Sequence, residues 1–247
     1  MIMVARCIKA EFAKCRHSAL LPIHIFIPLL GAAVFAGYFR ISGWDVQTNI
    51  SAYLEVLAVA FPFLIGIVVG MVVGLENQAG HWQTMLGTIP SRSAAYIGKL
   101  SFLMLGAVGA TALALGCFTA IYREAPLTLY LKAWILLVLA VFPLYLIHLF
   151  VGMRFGKGAS MGLGIAGSLV AALMVTGLGD AVWSYIPWAW GVRFMDYTVL
   201  SWSNPDVFPL VSHDFLIGIV IALLSSLLLF FFSIIWFRSW EGSRDAD

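Results

Sequence analysis

The chain has 247 residues, of which 62% are hydrophobic and only 11% charged, with a mean hydropathy of +0.98. A soluble domain is about half apolar and about a quarter charged, so this chain cannot cover a water-facing surface and lipid must be part of its solvent. A net charge of +2 without a basic stripe argues against a nucleic-acid partner, and three cysteines (Cys7, Cys15, Cys117) with no CxxC pair indicate neither a disulfide framework nor a thiolate metal site.

The amino-terminal stretch carries Arg6, Lys9, Glu11, Lys14 and Arg16. It is too long and charged for a signal peptide, and no clean cleavage site closes the apolar run after it. Val4, Ile8 and Phe12 recur every four residues, Cys15 and Ala19 continue that face, and Arg6, Lys9 and Arg16 fall away from it. This pattern predicts an interfacial amphipathic helix, apolar side in the headgroups, with Arg6, Lys9, Glu11, Phe12 and Lys14 as its characteristic residues.

Six apolar blocks follow, at about Ala19–Phe39, Tyr53–Gly74, Ala94–Ala120, Leu131–Met153, Ser160–Gly179 and Phe215–Phe237. Each reaches the roughly twenty residues that a 30 Å hydrocarbon core requires, so the fold class expected is an all-α membrane protein of six spans, a single domain over residues 1–247. Pro22, Pro28, Pro62 and Pro143 lie inside blocks, where a bundle tolerates them as kinks. With the amino terminus in the cytoplasm, ten basic residues fall on inner segments and only Arg40, Arg123, Lys132 and Arg193 on outer ones. The positive-inside rule then puts both termini in the cytoplasm of a plasma membrane. Gly66, Gly70 and Gly74 form a GxxxGxxxG face on span two, and Gly158 and Gly162 repeat the spacing in span five, with Gly164 and Gly167 beyond; such faces let helices approach closely.

Two segments outside the spans stand out. After span two, Trp82, Met85, Leu86 and Ile89 recur at helical spacing and Pro90 ends the run, predicting a short surface helix. Between spans five and six, residues 180–214 hold Trp183, Trp188, Trp190 and Trp202, too apolar for free solvent. They predict short re-entrant-type helices dipping into the outer leaflet, with the rings at headgroup level.

Chemistry inside the spans is sparse. Glu55, His24 and His148 are the candidates. Glu55 reads either as a proton or substrate ligand or as a group reaching the headgroups or a basic residue; the histidines read as local hydrogen-bonding groups. No HExxH or GxSxG occurs, no paired carboxylate stands at one-turn spacing inside the membrane, and Gly152–Gly158 only mimics a P-loop, with three residues between the first two glycines where four are needed. The chain is therefore read as non-catalytic, with no cofactor or metal of its own.

Lys9-Ala-Glu11-Phe12-Ala-Lys14, followed after span two by Glu76, Gly80, Trp82, Pro90, Arg92 and Lys99, resembles the permease subunits of ABC-2 type exporters, specifically those of lantibiotic (bacteriocin) immunity and bacitracin-type resistance. The resemblance covers essentially the whole chain. It implies a bacterial protein with two separate ATPase subunits, which bind ATP and Mg, and a second permease, identical or paralogous. It implies that Glu76, Gly80, Trp82, Met85, Leu86, Ile89, Pro90 and Arg92 form the coupling helix. The cargo implied is an amphipathic peptide antibiotic; a lipid or drug is the alternative, and an intramembrane enzyme or a non-transporting scaffold is the reading of a different class.

Overall fold

The computed structural model describes residues 2–78 and 91–242, and every regular element in them is helical. The predicted surface helix, with Gly80, Trp82, Met85, Leu86, Ile89 and Pro90, lies outside the described residues. The elements are α1 (Ile2–Cys15), α2 (Leu20–Phe39), α3 (Val46–Gln78), α4 (Arg92–Ile121), α5 (Leu127–Phe155), α6 (Lys157–Met174), α7 (Pro187–Ser203) and α8 (Phe208–Ser239), with 3-10 turns at Gly177–Gly179 and Trp183–Tyr185. Six of them, α2 to α6 and α8, are long and apolar enough to cross a membrane.

Several spans begin or end away from the apolar blocks because capping, not hydropathy, sets helix ends. Asp45 starts α3 eight residues before Tyr53: its carboxylate accepts from Thr48 N at 2.9 Å and from Thr48 Oγ1 at 2.6 Å. Ser91 caps α4, accepting from Ala94 N at 3.3 Å. At the other end, α6 stops at Met174 rather than Gly179, because Thr176 turns its side chain back onto Leu178 N and a 3-10 turn takes over.

Helix α3 is the central post, packed on α5, α6 and α7; α2 lies mainly on α4, and α8 on α5. α2 and α8 leave long apolar faces uncovered, including Phe26, Leu30, Leu228 and Phe231. Consecutive spans alternate in direction, and α1 and the end of α8 lie on one face. Lys99 near the start of α4 reaches Glu11 of α1, and Arg92 donates to Arg238 O and Trp240 O at 3.0 and 3.1 Å. The opposite face carries the 40–45 turn, where Arg40 donates to Ile121 O at 3.0 Å, and the segment from Val175 onward.

The segment between the last two spans is helical, but its tryptophans are placed differently from the expectation. It forms one helix of 17 residues, α7, wedged against α3, α5, α6 and α8. Trp183 and Trp190 are buried at 3% and 1% exposure, so their rings are packing groups inside the protein and not headgroup anchors. Trp183 fills the space left by Gly218 of α8, the Trp188 ring lies against Gly167 of α6, and Trp190 Nε1 donates to Ser184 O at 2.8 Å. A tryptophan-rich segment reads alike whether its rings face headgroups or glycine notches; the facing glycines decide, and they lie on other helices.

Candidate functional site

Among the described residues, four charged side chains converge on the face where α1 and the end of α8 meet. Glu11 and Lys14, one turn apart on α1, face Glu76 in the last turn of α3 and Lys99 in the second turn of α4. Lys99 Nζ donates to Glu11 Oε2 at 2.7 Å and Glu76 Oε1 at 2.6 Å; Lys14 Nζ donates to Glu11 Oε1 at 2.9 Å and Glu76 Oε1 at 2.5 Å. Lys99 is wholly buried, Glu11 and Glu76 nearly so, and Lys14 closes the ring from the rim. Each buried charge loses several kcal/mol of hydration, which is offset here because, among the described residues, two cations alternate with two anions. Burial pulls the Lys14 ammonium down, but Glu11 and Glu76 outweigh it and hold its pKa above the ordinary lysine value. A raised lysine contributes its stabilisation fully at neutral pH and loses it only as pH rises through that raised value.

The approach of α1 to α4 depends on Gly98, the residue beside Lys99. A Cβ there would collide with the Cys7 side chain of α1. Phe12 then seats its ring edge-on against Phe102, centroids 4.8 Å apart. Glu11 is thus not one of the exposed charges of an amphipathic surface helix; it is the buried end of a tie. Arg6 and Lys9 remain exposed. Arg92, the last residue of the implied coupling helix, binds the carbonyls that end α8.

The glycine faces sort by contact. A Cβ at Gly66 would stand 2.8 Å from Ser160 O, and one at Gly70 would stand 3.2 Å from Lys157 O, both on or at α6; Gly74 only borders the Lys157 side chain. On α6 the contacting residues are Gly164 and Gly167, whereas Gly158 and Gly162 face open space. Gly162 and Gly164 differ by about 200° around the helix, so only one of the two sets can face α3.

The intramembrane polar residues do not converge. Glu55 accepts from Ser51 Oγ at 2.6 Å on its own helix. His148 is fully buried, its Nδ1 3.1 Å from Ser160 Oγ, which donates to Gly66 O at 3.3 Å. Gly66 is eleven residues along α3 from Glu55, about 16 Å. Among the described residues no group of three His, Cys, Asp or Glu is placed to hold a metal. His24 Nδ1 bonds to Leu20 O at 2.7 Å, and its ring packs on Gly106.

His24 also borders an apolar cleft of about 150 Å³ between α2, α3 and α4. Ile27 and Phe35 of α2 face Val56, Phe61 and Val68 of α3, with Tyr53 and Tyr145 among the few polar side chains in the wall. The cleft exists because α2 packs on α4 and scarcely touches α3. Sequence reading did not find it, since its wall is ordinary span residues and only the spacing of three helices opens it.

A family model described as "ABC-2 family transporter protein" matches residues 7–178, well over half of the chain. The chain belongs to the ABC-2 transporter family. It is a multi-span ABC-2 permease subunit, and such permeases work with a partner ABC ATPase. The matched region holds all four members of the ionic cluster and the whole cleft; it ends before α7 and α8. A comparison with curated proteins finds no match.

Proposed function

We propose that this ABC-2 permease subunit expels an amphipathic peptide antibiotic from the membrane, in the manner of lantibiotic self-immunity, driven by two copies of a separate ATPase and paired with a second permease, identical or paralogous. The apolar cleft carries this reading. All of its walls lie within spans, and its lining is nearly all hydrocarbon, which suits a cargo that partitions into lipid and not an ion or a sugar phosphate. The face carrying the ionic cluster is the cytoplasmic one, as the ten-to-four division of basic residues indicates. There the segment from Glu76 to Arg92 forms the coupling element. Its two ends are the cluster and the cap on α8, so a push on the segment between them is delivered to α1, α3, α4 and α8 together.

The test is expression of the chain with its ATPase in a susceptible bacterium, challenged with a panel of lanthionine peptides and, in parallel, with lipophilic drugs. Peptide resistance that disappears in an ATPase-dead background supports the reading. Protection against the drugs alone would replace the peptide with a drug as cargo. Truncation of Trp82 to Ala removes an aromatic contact of the kind worth about 2 kcal/mol or more at interfaces. It is expected to weaken ATPase capture at normal permease abundance, and full capture by the W82A chain would remove the coupling assignment.

A further inference from the structure

Pro62 interrupts α3 at mid-length, where the helix forms one wall of the cleft. Proline has no N–H, so Ala58 O loses its helical donor, and a proline ring inside a helix weakens the neighbouring rungs. Ser168 of α6 occupies the next rung. Its Oγ accepts from Phe63 N at 3.1 Å and donates to Val59 O at 2.7 Å, engaging both groups that a regular helix would join to each other. Serine hydroxyls are among the few groups that can satisfy a broken backbone rung inside a membrane.

The two helices are close enough for this because the residues between are glycine. A Cβ at Gly164 would stand 2.7 Å from Pro62 O and 3.1 Å from Gly66 Cα. One turn below, Ser160 donates to Gly66 O at 3.3 Å and is itself bonded to His148 of α5. Two serines, eight residues apart on one face of α6, therefore bracket the interrupted turns of α3. The cleft wall straddles this point, with Val56 and Phe61 before Pro62 and Ile65 and Val68 after it. Beyond it α3 runs on unbroken to Glu76.

We propose that Ser168 is the pin of a hinge at Pro62, a positioning residue that sets the bend of α3 and with it the width of the apolar cleft. The part concerning the cleft rests on the substrate reading above; the pin itself does not. Ser168 does not line the cleft, so its effect passes through the α3 backbone alone.

The experiment is a double-mutant cycle on the full-length chain in lipid nanodiscs, comparing wild type, S168A, S168T, P62A and P62A/S168A. Two readouts need no substrate or ATPase. One is amide exchange over residues 58–66. The other is the spin-label distance between Phe26→Cys on α2 and Phe155→Cys at the end of α5, exposed positions outside the cleft, in a background lacking the native cysteines. S168A is expected to speed exchange at Phe63 by about tenfold, the worth of one hydrogen bond, and to broaden the distance distribution. S168T, which keeps the hydroxyl, restores both. P62A supplies the missing N–H, so S168A has no effect in that background. An equal effect of S168A with and without Pro62 would make Ser168 a packing residue and overturn the proposal, as would unchanged exchange in S168A. Where the pin is shown, the transport panel is run on S168A: a changed cargo preference supports the link to the cleft, and an unchanged one confines the role to helix geometry.

Discussion

Lys99 shows how much one residue depends on its surroundings. It lies within an apolar span, and it is tolerable there only because Glu11 and Glu76 come to it from two other helices. Replacing it with Met leaves two buried carboxylates sharing one lysine. Removing one partner of a buried pair costs about 3–5 kcal/mol, so K99M is expected to lower the unfolding midpoint and the yield of folded chain sharply. The double variant E76Q/K99M leaves the balanced pair Glu11–Lys14 and should recover most of the loss. A thermal melt in detergent checks both, and a double variant no better than K99M would show that the four charges do not act as one neutral set. The residues of this cluster were all visible as a motif in the chain; their convergence was not, because Glu11 and Lys99 stand 88 positions apart and the glycine that lets them meet, Gly98, looks like any other.

At the level of elements, helix existence followed from hydrophobic length, whereas helix faces did not. The spacing of Gly158 and Gly162 promised a packed surface, yet it is the opposite face, with Gly164 and Gly167, that meets α3 and Trp188. Leucine at Gly164 would drive a branched side chain into the α3 backbone at Pro62 and is expected to abolish folded protein. Leucine at Gly158 enters open space and should be accepted in the isolated chain. Size-exclusion profiles of G164L and G158L distinguish the two faces, and equal profiles would refute the packing. The outer segment teaches the same lesson. Its tryptophans are interior because α6 and α8 present glycines to them, and a single-chain reading of aromatic density cannot locate the glycine opposite.

For the molecule as a whole, the six spans and the shared face of α1 and the end of α8 define two surfaces, one with the cluster and one with the 40–45 turn and α7. In a background without the native cysteines, Gln47→Cys at the exposed start of α3 should react with a membrane-impermeant maleimide on intact cells, while Glu241→Cys should react only after lysis. The opposite pattern would invert the protein and move the coupling assignment to the wrong side. The uncovered faces of α2 and α8 are apolar over the stretches that cross the membrane, with Phe26, Leu30, Leu228 and Phe231 exposed, and are suited to contact with lipid.

The sequence by itself determined the solvent, the helical class, the number of spans and the family motif, because each depends on composition and on residues near one another in the chain. A span must be about twenty apolar residues whatever its neighbours are. The tertiary structure alone decided that the amino-terminal helix is tied down by a buried carboxylate, that a serine from α6 bonds both groups of the rung after Pro62 in α3, and that α2 stands off α3 to leave a cleft. These are matters of which backbones approach within a few ångströms. Approach is fixed by pairs of small residues and by partners on distant helices, and no local period in the chain records which ones meet.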